Sequence, residues 1–495
     1  MPAADKVILI TLPSSFFPLF ILLSKFYTAM PSSLSSPSLL FILLFSACAL
    51  HVHEAALDKN RTPEKGRMSP AEAEALFGIM ESMSSDQNWR SSYPNPCGPS
   101  PSWTGIECKV GPDGLAHVSR LDFGCPPNPT CRPTATFPHR IFSLPFIQSA
   151  FFFECFTHTR TPLTVATNSS SLRQLSLRSN PALIGPIPPE ISSFRSLEVL
   201  TLSQNSLSGV IPQQLFTLTS LVHLDLSYNK LSGSIPDQVG SLRSLVGLDL
   251  SYNSLSGIIP NTIGELGSLQ KLDFSSNSLT GIIPGSVDRL GSLVFMALSN
   301  NHLTGELPPG IGELQSLQYF IMENNPMHTS LPSEIGLLTK LQELRLANCG
   351  FSGEIPASFS QLANLTTLSL QNNRLTGEIP TGFNQLSHIY HLNLSWNQLS
   401  GVVPLDASFL RRLGQNLDLS GNPGLCLSTG EAYGVVLCRT GKNGTLIAPL
   451  KSSGDSSAAD EQLYLYSPLS LFSTPLTLPS ILAFLNFSII SGIFS

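Results

Sequence analysis

The feature that most constrains this chain is a 24-residue repeat that becomes regular from Ser171 onward. Each copy carries the frame LxxLxLxxN, and two degenerate copies precede the regular ones, starting near Val118 and Ile147. Cys349 takes the asparagine slot in one copy. The asparagines of the frame are Asn180, Asn205, Asn229, Asn253, Asn277, Asn301, Asn325, Asn373, Asn397 and Asn422. Thirteen copies in one frame predict a solenoid over residues 118–425, in which each repeat is one structural unit.

Each repeat begins with a pattern typical of a short strand. In residues 221–226, alternation turns Leu224 and Leu226 inward and the residues between them outward. One unit cannot bury its own leucines, but stacking in a parallel sheet buries each of them, which stabilises by roughly 1.5–3 kcal/mol per side chain. We expect the asparagine amide to satisfy backbone groups where the chain leaves the strand. Cys155 and Cys349 share that slot and are expected to be structural substitutes for it rather than reactive thiols.

A second element follows the asparagine in most copies. Its sequence is LSGSIP at residues 231–236, whereas MHTSLP places Thr329 and Ser330 where LxGx is expected. The frame and this segment together resemble the plant-specific class of leucine-rich repeats. The resemblance implies an α/β solenoid, a right-handed superhelix with a parallel inner sheet, a second strand per repeat and disulfide-stapled terminal caps. Thirteen strands at roughly 4.8 Å spacing would make the inner sheet about 60 Å long.

Both ends of the array carry sequences suited to capping it, because the ends of a solenoid expose apolar edges. Residues 71–83, AEAEALFGIMESM, follow Ser69 and Pro70, which form a helix start signal. The next segment, NPCGPSPSWTGIEC, resembles the N-terminal cap of this family. Four N-terminal cysteines allow three connectivities. The disulfides that we propose are Cys97–Cys108, Cys125–Cys131 and Cys426–Cys438.

Apolar segments near both termini predict export and attachment to a membrane. Residues 39–50 have the length of a signal-peptide core, with Met30 as a candidate start and an N-terminal membrane anchor as the alternative. The tail after Glu461 is uncharged and resembles a signal for lipid-anchor attachment; a spanning helix and free secretion are the alternatives. Export would permit glycosylation at the sequons, which are Asn60, Asn168, Asn364, Asn393 and Asn443.

These features predict a division of the chain into six segments. They are an N-terminal extension and signal peptide (1–57), an N-terminal repeat cap (58–117), about 13 repeats (118–425), a C-terminal cap (426–440), a linker (441–467) and an apolar anchor-signal tail (468–495). The expected location is the secretory pathway and then the extracellular face of the plasma membrane, with the C-terminal anchor as the link to the membrane.

The sequence offers no constellation typical of an enzyme or a cofactor site. The net charge is −6, so no basic excess favours nucleic acid as a partner. The tripeptide DFG at residues 122–124 lacks the other kinase motifs, and His388 and His391 have no third metal ligand nearby. The scattered acidic residues form no evident acid and base pair. We therefore expect no catalytic residue, no metal and no cofactor.

Two segments narrow the resemblance. The run FFFECFTHTRTP and the opening SLRQLSLRSNPALIGPIP are similar to the Piriformospora-insensitive and TOO MANY MOUTHS-related group of plant receptor-like proteins. The resemblance implies a cell-surface protein without a kinase that binds a protein or peptide ligand and a leucine-rich-repeat receptor kinase as co-receptor, in defence, symbiosis or development. The alternative is a secreted cell-wall inhibitor or binding protein, similar to the polygalacturonase-inhibiting repeats, because the fold alone does not separate these functions.

Residues that face outward from the strands supply the candidate binding sites. Most are Asp and Ser, as at Asp225 and Ser227, and suit a solvated ladder. Between residues 293 and 346 the pattern changes to the aromatic and charged types found in interaction hot spots. The ligand-binding candidates are Phe295, Tyr319, Ile321, Glu323, Glu343 and Arg345. The candidates for contact with the partner kinase, near the C-terminal cap, are Tyr390, His391 and Trp396, and the fallback ligand site is the strand with Phe151, Phe153 and Glu154.

Overall fold

The structure is a computed structural model that describes residues 67–98, 104–124, 126–165, 171–428, 433–440 and 446–447. Its helices are α1 (Pro70–Met83), α2 (Trp89–Ser92) and α3 (Ala407–Leu413). In chain order the strands are β1 (Ile106–Val110), β2 (Ala116–Phe123), β3 (Ser149–Phe153), β4 (Thr161–Pro162), β5 (Gln174–Arg178), β6 (Asn180–Gly185), β7 (Val199–Thr201), β8 (Asn205–Val210), β9 (His223–Asp225), β10 (Lys230–Ser234), β11 (Gly247–Asp249), β12 (Ser254–Gly257), β13 (Lys271–Asp273), β14 (Ser278–Gly281), β15 (Phe295–Ala297), β16 (His302–Leu303), β17 (Tyr319–Ile321), β18 (Glu343–Arg345), β19 (Ser352–Glu354), β20 (Thr367–Ser369), β21 (Arg374–Thr376), β22 (His391–Asn393), β23 (Ser400–Val402), β24 (Leu417–Asp418), β25 (Gly424–Leu427), β26 (Val436–Leu437), β27 (Arg439–Thr440) and β28 (Leu446–Ile447).

The inner sheet follows the repeat array from end to end. Among the described residues it has 14 strands in the order β1-β2-β3-β5-β7-β9-β11-β13-β15-β17-β18-β20-β22-β24. β1 is antiparallel to β2, and every later strand is parallel to its neighbour. The predicted parallel sheet is therefore confirmed, with one strand from each of the thirteen copies. Equivalent residues pair from repeat to repeat, as Phe295 does with Tyr319, so the outward side chains form straight rows across the concave surface.

The second strand implied by the resemblance is also present. β16, β14, β12, β10, β8, β6 and β4 form a second sheet in that order, and β19 pairs separately with β21. Between β16 and β19 the MHTSLP copy contributes an isolated bridge from Ser330 to Ser352 instead of a strand. His328 has a left-handed backbone there, with φ of 52°. The sequence departure thus corresponds to a break in the second sheet.

Short 3-10 helices complete most repeats and carry the chain back toward the next inner strand. A buried aliphatic or aromatic residue anchors most of them, such as Val239 or Ile263. They lie at His139–Ser143, Pro189–Ser193, Gln213–Thr217, Asp237–Ser241, Asn261–Glu265, Gly285–Arg289, Pro309–Glu313, Ser333–Leu337, Ala357–Gln361, Thr381–Gln385 and Gly414–Asn416.

The asparagines of the frame turn inward as predicted. The Asn277 amide nitrogen donates to the carbonyl oxygens of Leu250 (3.0 Å) and Phe274 (3.1 Å), and its oxygen accepts from the backbone N–H of Leu255 (3.0 Å). In the same slot, Cys349 is a buried free thiol whose Sγ lies 3.1 Å from the carbonyl oxygen of Met322. Burial raises the pKa of this thiol to about 12, which keeps it protonated and fits a structural role.

Helix α1 closes the N-terminal end of the solenoid. Ser69 caps it by accepting a hydrogen bond from the backbone N–H of Glu72 (3.2 Å). The buried Glu72 carboxylate lies 2.7 Å from Nδ1 of His117 and accepts from the backbone N–H of Val118 (2.9 Å). On the other side of the imidazole, Asp113 lies 3.0 Å from Nε2. Glu72 and His117 are buried and Asp113 is exposed, and together these contacts join the helix to β2 near the start of the inner sheet.

Helix α3 lies in the last repeat and belongs to the C-terminal end of the array. Asp406 caps it by accepting from the backbone N–H groups of Ser408 (2.9 Å) and Phe409 (2.8 Å). Arg412 donates to three carbonyl oxygens of the preceding repeat, among them that of Ile389 at 2.8 Å. Within the described ranges no helix has both the length and the apolar content that a membrane span requires.

Among the described residues, three disulfides lie near the two ends of the array. Cys97–Cys108 and Cys426–Cys438 are paired as we proposed. The proposed Cys125–Cys131 pair is wrong, because Cys131 is bonded to Cys155, with Cα atoms 4.9 Å apart. Cys155 sits in an asparagine slot, and its backbone N–H donates to the amide oxygen of Asn180 (2.8 Å). Cys125 lies outside the described residues.

Candidate binding surface

The concave surface carries a small apolar cluster that is separate from the solenoid core. Phe295, Ala297 and Tyr319 are buried against one another, and Ile321 packs beside them half-exposed. The rings of Phe295 and Tyr319 have centroids 6.1 Å apart. The sequence correctly turned these residues toward the concave face, but Tyr319 is only 7% exposed because its neighbours in the row cover it. Ile321 is therefore the apolar residue of this set that is most open to a ligand.

The charged members of the predicted site form a buried pair next to this cluster. Glu343 and Arg345 are joined by a salt bridge, and Glu343 is only 1% exposed. Glu323 is half-buried and accepts a hydrogen bond from Ser369 (3.3 Å). Burial raises the pKa of Glu323, against the opposing effect of Arg345. Removing Arg345 would leave Glu343 buried without its counter-charge. Arg345 therefore stabilises the fold before it can take part in binding.

The second predicted set does not form one cluster. Tyr390 and Trp396 are 62% and 65% exposed, but they lie at opposite ends of β22. His391 lies half-buried between them in the concave row, where burial and the nearby Arg345 lower its pKa. His391 therefore belongs electrostatically with the Arg345 site, and Trp396 stands apart over Gly421, where an added Cβ would lie 2.9 Å from the indole ring.

The aspartates expected to form a solvated ladder are in fact largely covered, since Asp273 is buried and Asp225 and Asp249 are half-buried. Asp225, Asp249 and Asp273 come from three adjacent strands, and Lys271 donates to Asp249 at 2.8 Å. Burial and the charge of Asp249 raise the pKa of Asp273 to about 7, and the pKa of Asp225 is raised for the same reasons. We name these four residues the acidic cluster. The alternation of residues along a strand did not reveal this cluster. Alternation predicts which face a side chain occupies, but not how far neighbouring side chains cover that side chain.

Two tyrosines border the acidic cluster. Tyr228 and Tyr252 stack with ring centroids 4.1 Å apart and remain 48% and 46% exposed. Both have left-handed backbones, φ 53°, at the position before the ladder asparagine. Burial, Tyr252 and the nearby aspartates raise the pKa of Tyr228, so its hydroxyl remains a neutral donor. The tyrosines are the aromatic residues that the sequence analysis overlooked at this face.

The fallback strand has its own charge arrangement. The guanidinium of Arg120 lies 4.6 Å from the ring centroid of the half-buried Phe151. Phe153 is likewise half-buried and Glu154 is exposed. Burial raises the pKa of Asp122 to about 6 even though Arg120 is its salt-bridge partner at 3.0 Å. The strand thus presents one cation over an aromatic ring and no apolar cluster like that at Tyr319.

The structure describes two of the five asparagines predicted to be glycosylated. Asn364 is exposed and donates to the carbonyl oxygen of Thr339 (2.8 Å), whereas Asn393 is half-buried on the concave face. Asn60, Asn168 and Asn443 lie outside the described residues. Glycosylation stays a prediction at all five. Among the described residues, no three His, Cys, Asp or Glu side chains are grouped as a metal site would require.

Family comparisons agree with this architecture. The Leucine rich repeat N-terminal domain matches residues 69–109. Models of the leucine rich repeat match residues 170–231, 243–303, 355–423 and 340–362. The matches therefore cover the cap and most of the regular array.

Curated relatives come from Arabidopsis thaliana. Receptor like protein 29 is 62% identical over 182 residues, 36% of this chain and 37% of that protein. Protein TOO MANY MOUTHS is 35% identical over 145 residues, 28% of each chain. Piriformospora indica-insensitive protein 2 is 34% identical over 181 residues, 34% of this chain and 40% of that protein. The chain spans less than half the length of each of these relatives.

A solved structure supports the same placement. The crystal structure of PEPR1-AtPEP1 has a TM-score of 0.60 and 27% identity, over 74% of this chain and 52% of that one. Together with the parallel sheet, the second sheet and the disulfides near both ends, these matches show that the chain belongs to the leucine-rich-repeat proteins and is similar to receptor-like proteins of plants.

Proposed function

We propose that this protein is a cell-surface receptor-like protein without catalytic activity that binds an extended peptide or protein segment along its concave face. The observation that carries the proposal is the apolar cluster around Tyr319 and Ile321, which is separate from the core and faces the groove of the solenoid. The chain's likeness to PEPR1, which was solved as PEPR1-AtPEP1, supports a second molecule as the ligand of this fold.

The acidic cluster on one side of the apolar cluster indicates which residues the ligand should carry. The acidic cluster lies toward the N-terminal end and holds three carboxyl groups against one ammonium group. A Lys or Arg of the ligand would be favoured there because it stabilises the ionised form of the aspartates whose pKa is raised. Asp249 and Ile321 are three strand spacings apart in one row, about 14 Å, which an extended peptide covers with about four residues. We expect a ligand with a basic residue about four positions from an aliphatic or aromatic one.

The first prediction tests this site with peptides of that design. Ile321→Glu places a charge beside the apolar cluster and should weaken binding at least tenfold, about 1.4 kcal/mol. Ser176→Glu also adds a carboxylate in the same row, but six strands from Ile321 and not adjacent to the acidic cluster, and should bind like the parent protein. Titration calorimetry of both variants with a peptide carrying Arg and Leu at this spacing measures the difference.

The same titration includes a peptide in which Glu replaces Arg. The proposal requires that the acidic cluster reject this peptide. If it binds as tightly as the Arg peptide, or if Ile321→Glu has no effect in a folded protein, the ligand site is elsewhere on the molecule.

We further propose that a C-terminal lipid anchor holds the protein at the plasma membrane and that Tyr390 and Trp396 meet a receptor kinase co-receptor. Their high exposure near the C-terminal cap supports this assignment. Fractionation of the native tissue tests the anchor. Release by phospholipase supports a membrane-held co-receptor, whereas recovery in the wall fraction without treatment supports the secreted inhibitor or binding protein.

A further inference from the structure

A groove lies away from the concave face, on the second sheet near its N-terminal end. It is an open cavity of about 680 Å³ lined by residues from the segment before β4 and from β6, β8 and β10. That size is within the range of about 300–1,000 Å³ usual for small-molecule sites. No residue of the apolar cluster or the acidic cluster lines it, so it is a separate feature of the molecule.

The charge of this groove is opposite to that of the chain. The basic side chains of Arg160 and Lys230 line the groove, and His158 adds an imidazole. No Asp or Glu is among the described residues that line the groove. All three side chains are exposed, and none takes part in a salt bridge with another described residue. In a chain of net charge −6, two such cations facing one cavity form a local site for anions. We call it the basic groove.

The sheet register sets the distance between the two ends of the basic groove. Pro162 pairs with Ile184, Ile184 with Ser206, and Ser208 with Lys230. The step from β4 to β10 is therefore three strand spacings, about 14 Å. His158 and Arg160 stand at one end and Lys230 at the other. The hydroxyls of Ser206 and Ser208 lie between them, beside the apolar side chain of Ile184.

We propose that the basic groove binds an acidic oligosaccharide, with a carboxylate toward Arg160, another toward Lys230 and sugar hydroxyls over the serines. The groove crosses the strands instead of following them, and the backbone groups of β6 and β8 are already paired within the sheet. β4 is the edge strand, and Pro162 is one of its two residues, which removes a backbone donor. A peptide would therefore find no strand to pair with, whereas a sugar chain needs only side-chain charges and hydroxyls.

The test uses the full chain and a short linear uronic-acid oligomer. Calorimetry should show binding that weakens with added salt and is absent for the carboxyl-reduced, neutral oligomer. The double variant Arg160→Gln/Lys230→Gln should bind at least tenfold more weakly. The control Arg289→Gln/Lys340→Gln removes two exposed cations far from the groove and should bind as the parent protein does. Both doubles should keep the parent melting temperature.

Two results would overturn the proposal. Equal weakening in the control double would show that overall charge, not the groove, attracts the oligomer. Binding of poly-glutamate of similar length as tightly as the uronic-acid oligomer would show a general anion site that does not select a sugar. Ile321→Glu separates this site from the concave one, because it should leave oligosaccharide binding unchanged even if it abolishes peptide binding.

Discussion

Asn277 shows how one side chain can hold two repeats together. Its amide bonds carbonyl groups of its own repeat and of the preceding one, and its oxygen accepts the N–H of Leu255, at distances between 3.0 and 3.1 Å. The carbonyl groups of Leu250 and Phe274 lie just beyond the ends of β11 and β13, where the chain leaves the inner sheet. The polar side chain is therefore the means by which a turn can be buried in every repeat.

The second prediction concerns this residue. Asn277→Ala leaves one backbone N–H and three carbonyl groups without their hydrogen bonds to this side chain in the middle of the stack, and should lower the free energy of unfolding by about 1–3 kcal/mol. Ser276→Ala, the adjacent control, removes one longer hydrogen bond in which Asn300 donates to Ser276 (3.3 Å) and should be near neutral. Urea unfolding measures both, and equal losses would contradict the inward assignment.

The third prediction concerns the charge chain of the N-terminal cap. Asp113 and Glu72 raise the pKa of His117 although its burial opposes this. When the pKa of a histidine is higher in the folded protein than in the unfolded chain, the histidine stabilises the fold. This stabilisation is complete at pH values below the pKa in the unfolded chain, about 6.5, and is lost as pH rises through the pKa in the folded protein. His117→Gln should therefore cost more stability at pH 5 than at pH 8.5.

Urea unfolding at both pH values checks this difference. His302 is exposed in β16, and His302→Gln should have the same small effect at either pH. A larger cost of His117→Gln at the alkaline pH would show that the imidazole is held neutral in the folded protein.

At the level of elements, Cys131–Cys155 joins the first degenerate repeat to the second. Cys155 could be placed in the asparagine slot from the sequence, and the slot assignment is right. Its bonding could not be predicted, because nearness in sequence favoured Cys125 for Cys131, whereas the solenoid brings residue 155 against the loop that carries Cys131. Stacking of repeats decides such pairings, and spacing along the chain does not.

The fourth prediction follows from this disulfide. It closes a loop of 24 residues, and chain entropy gives such a crosslink about 3 kcal/mol. Cys131→Ser should lower the free energy of unfolding by that order, whereas Cys125→Ser should leave the bond intact. Peptide mapping under non-reducing conditions is the direct measurement. A peptide that links Cys125 to Cys131 would contradict the structure.

For the whole molecule, the repeat frame was enough to predict the parallel sheet, its thirteen copies and the inward or outward direction of the side chains in each strand. The frame could not predict how much water each outward side chain meets. Tyr319 and Asp273 have outward positions like any other, but their neighbours in the row bury both. The concave site is therefore defined by lateral packing between repeats, which one repeat read alone does not contain.

The fifth prediction tests that burial through the pH dependence of the whole fold. Burial raises the pKa of Asp273 from an ordinary 3.8 to about 7, so between these values the folded protein binds a proton more tightly than the unfolded chain. The stability that this site contributes therefore falls as pH rises from about 4 to 7.

Asp273→Asn keeps the acceptor for the Ser275 N–H (3.0 Å) and leaves the Lys271–Asp249 pair in place. The variant should be more stable than the parent at pH 8 and little changed at pH 4. Asp237→Asn, at an exposed position, should show no such difference, and thermal melts at both pH values compare the three proteins. A parent protein that gains more than the variant between pH 4 and pH 8 would mean that Asp273 is ionised and well solvated, and the acidic cluster would then be an ordinary surface ladder.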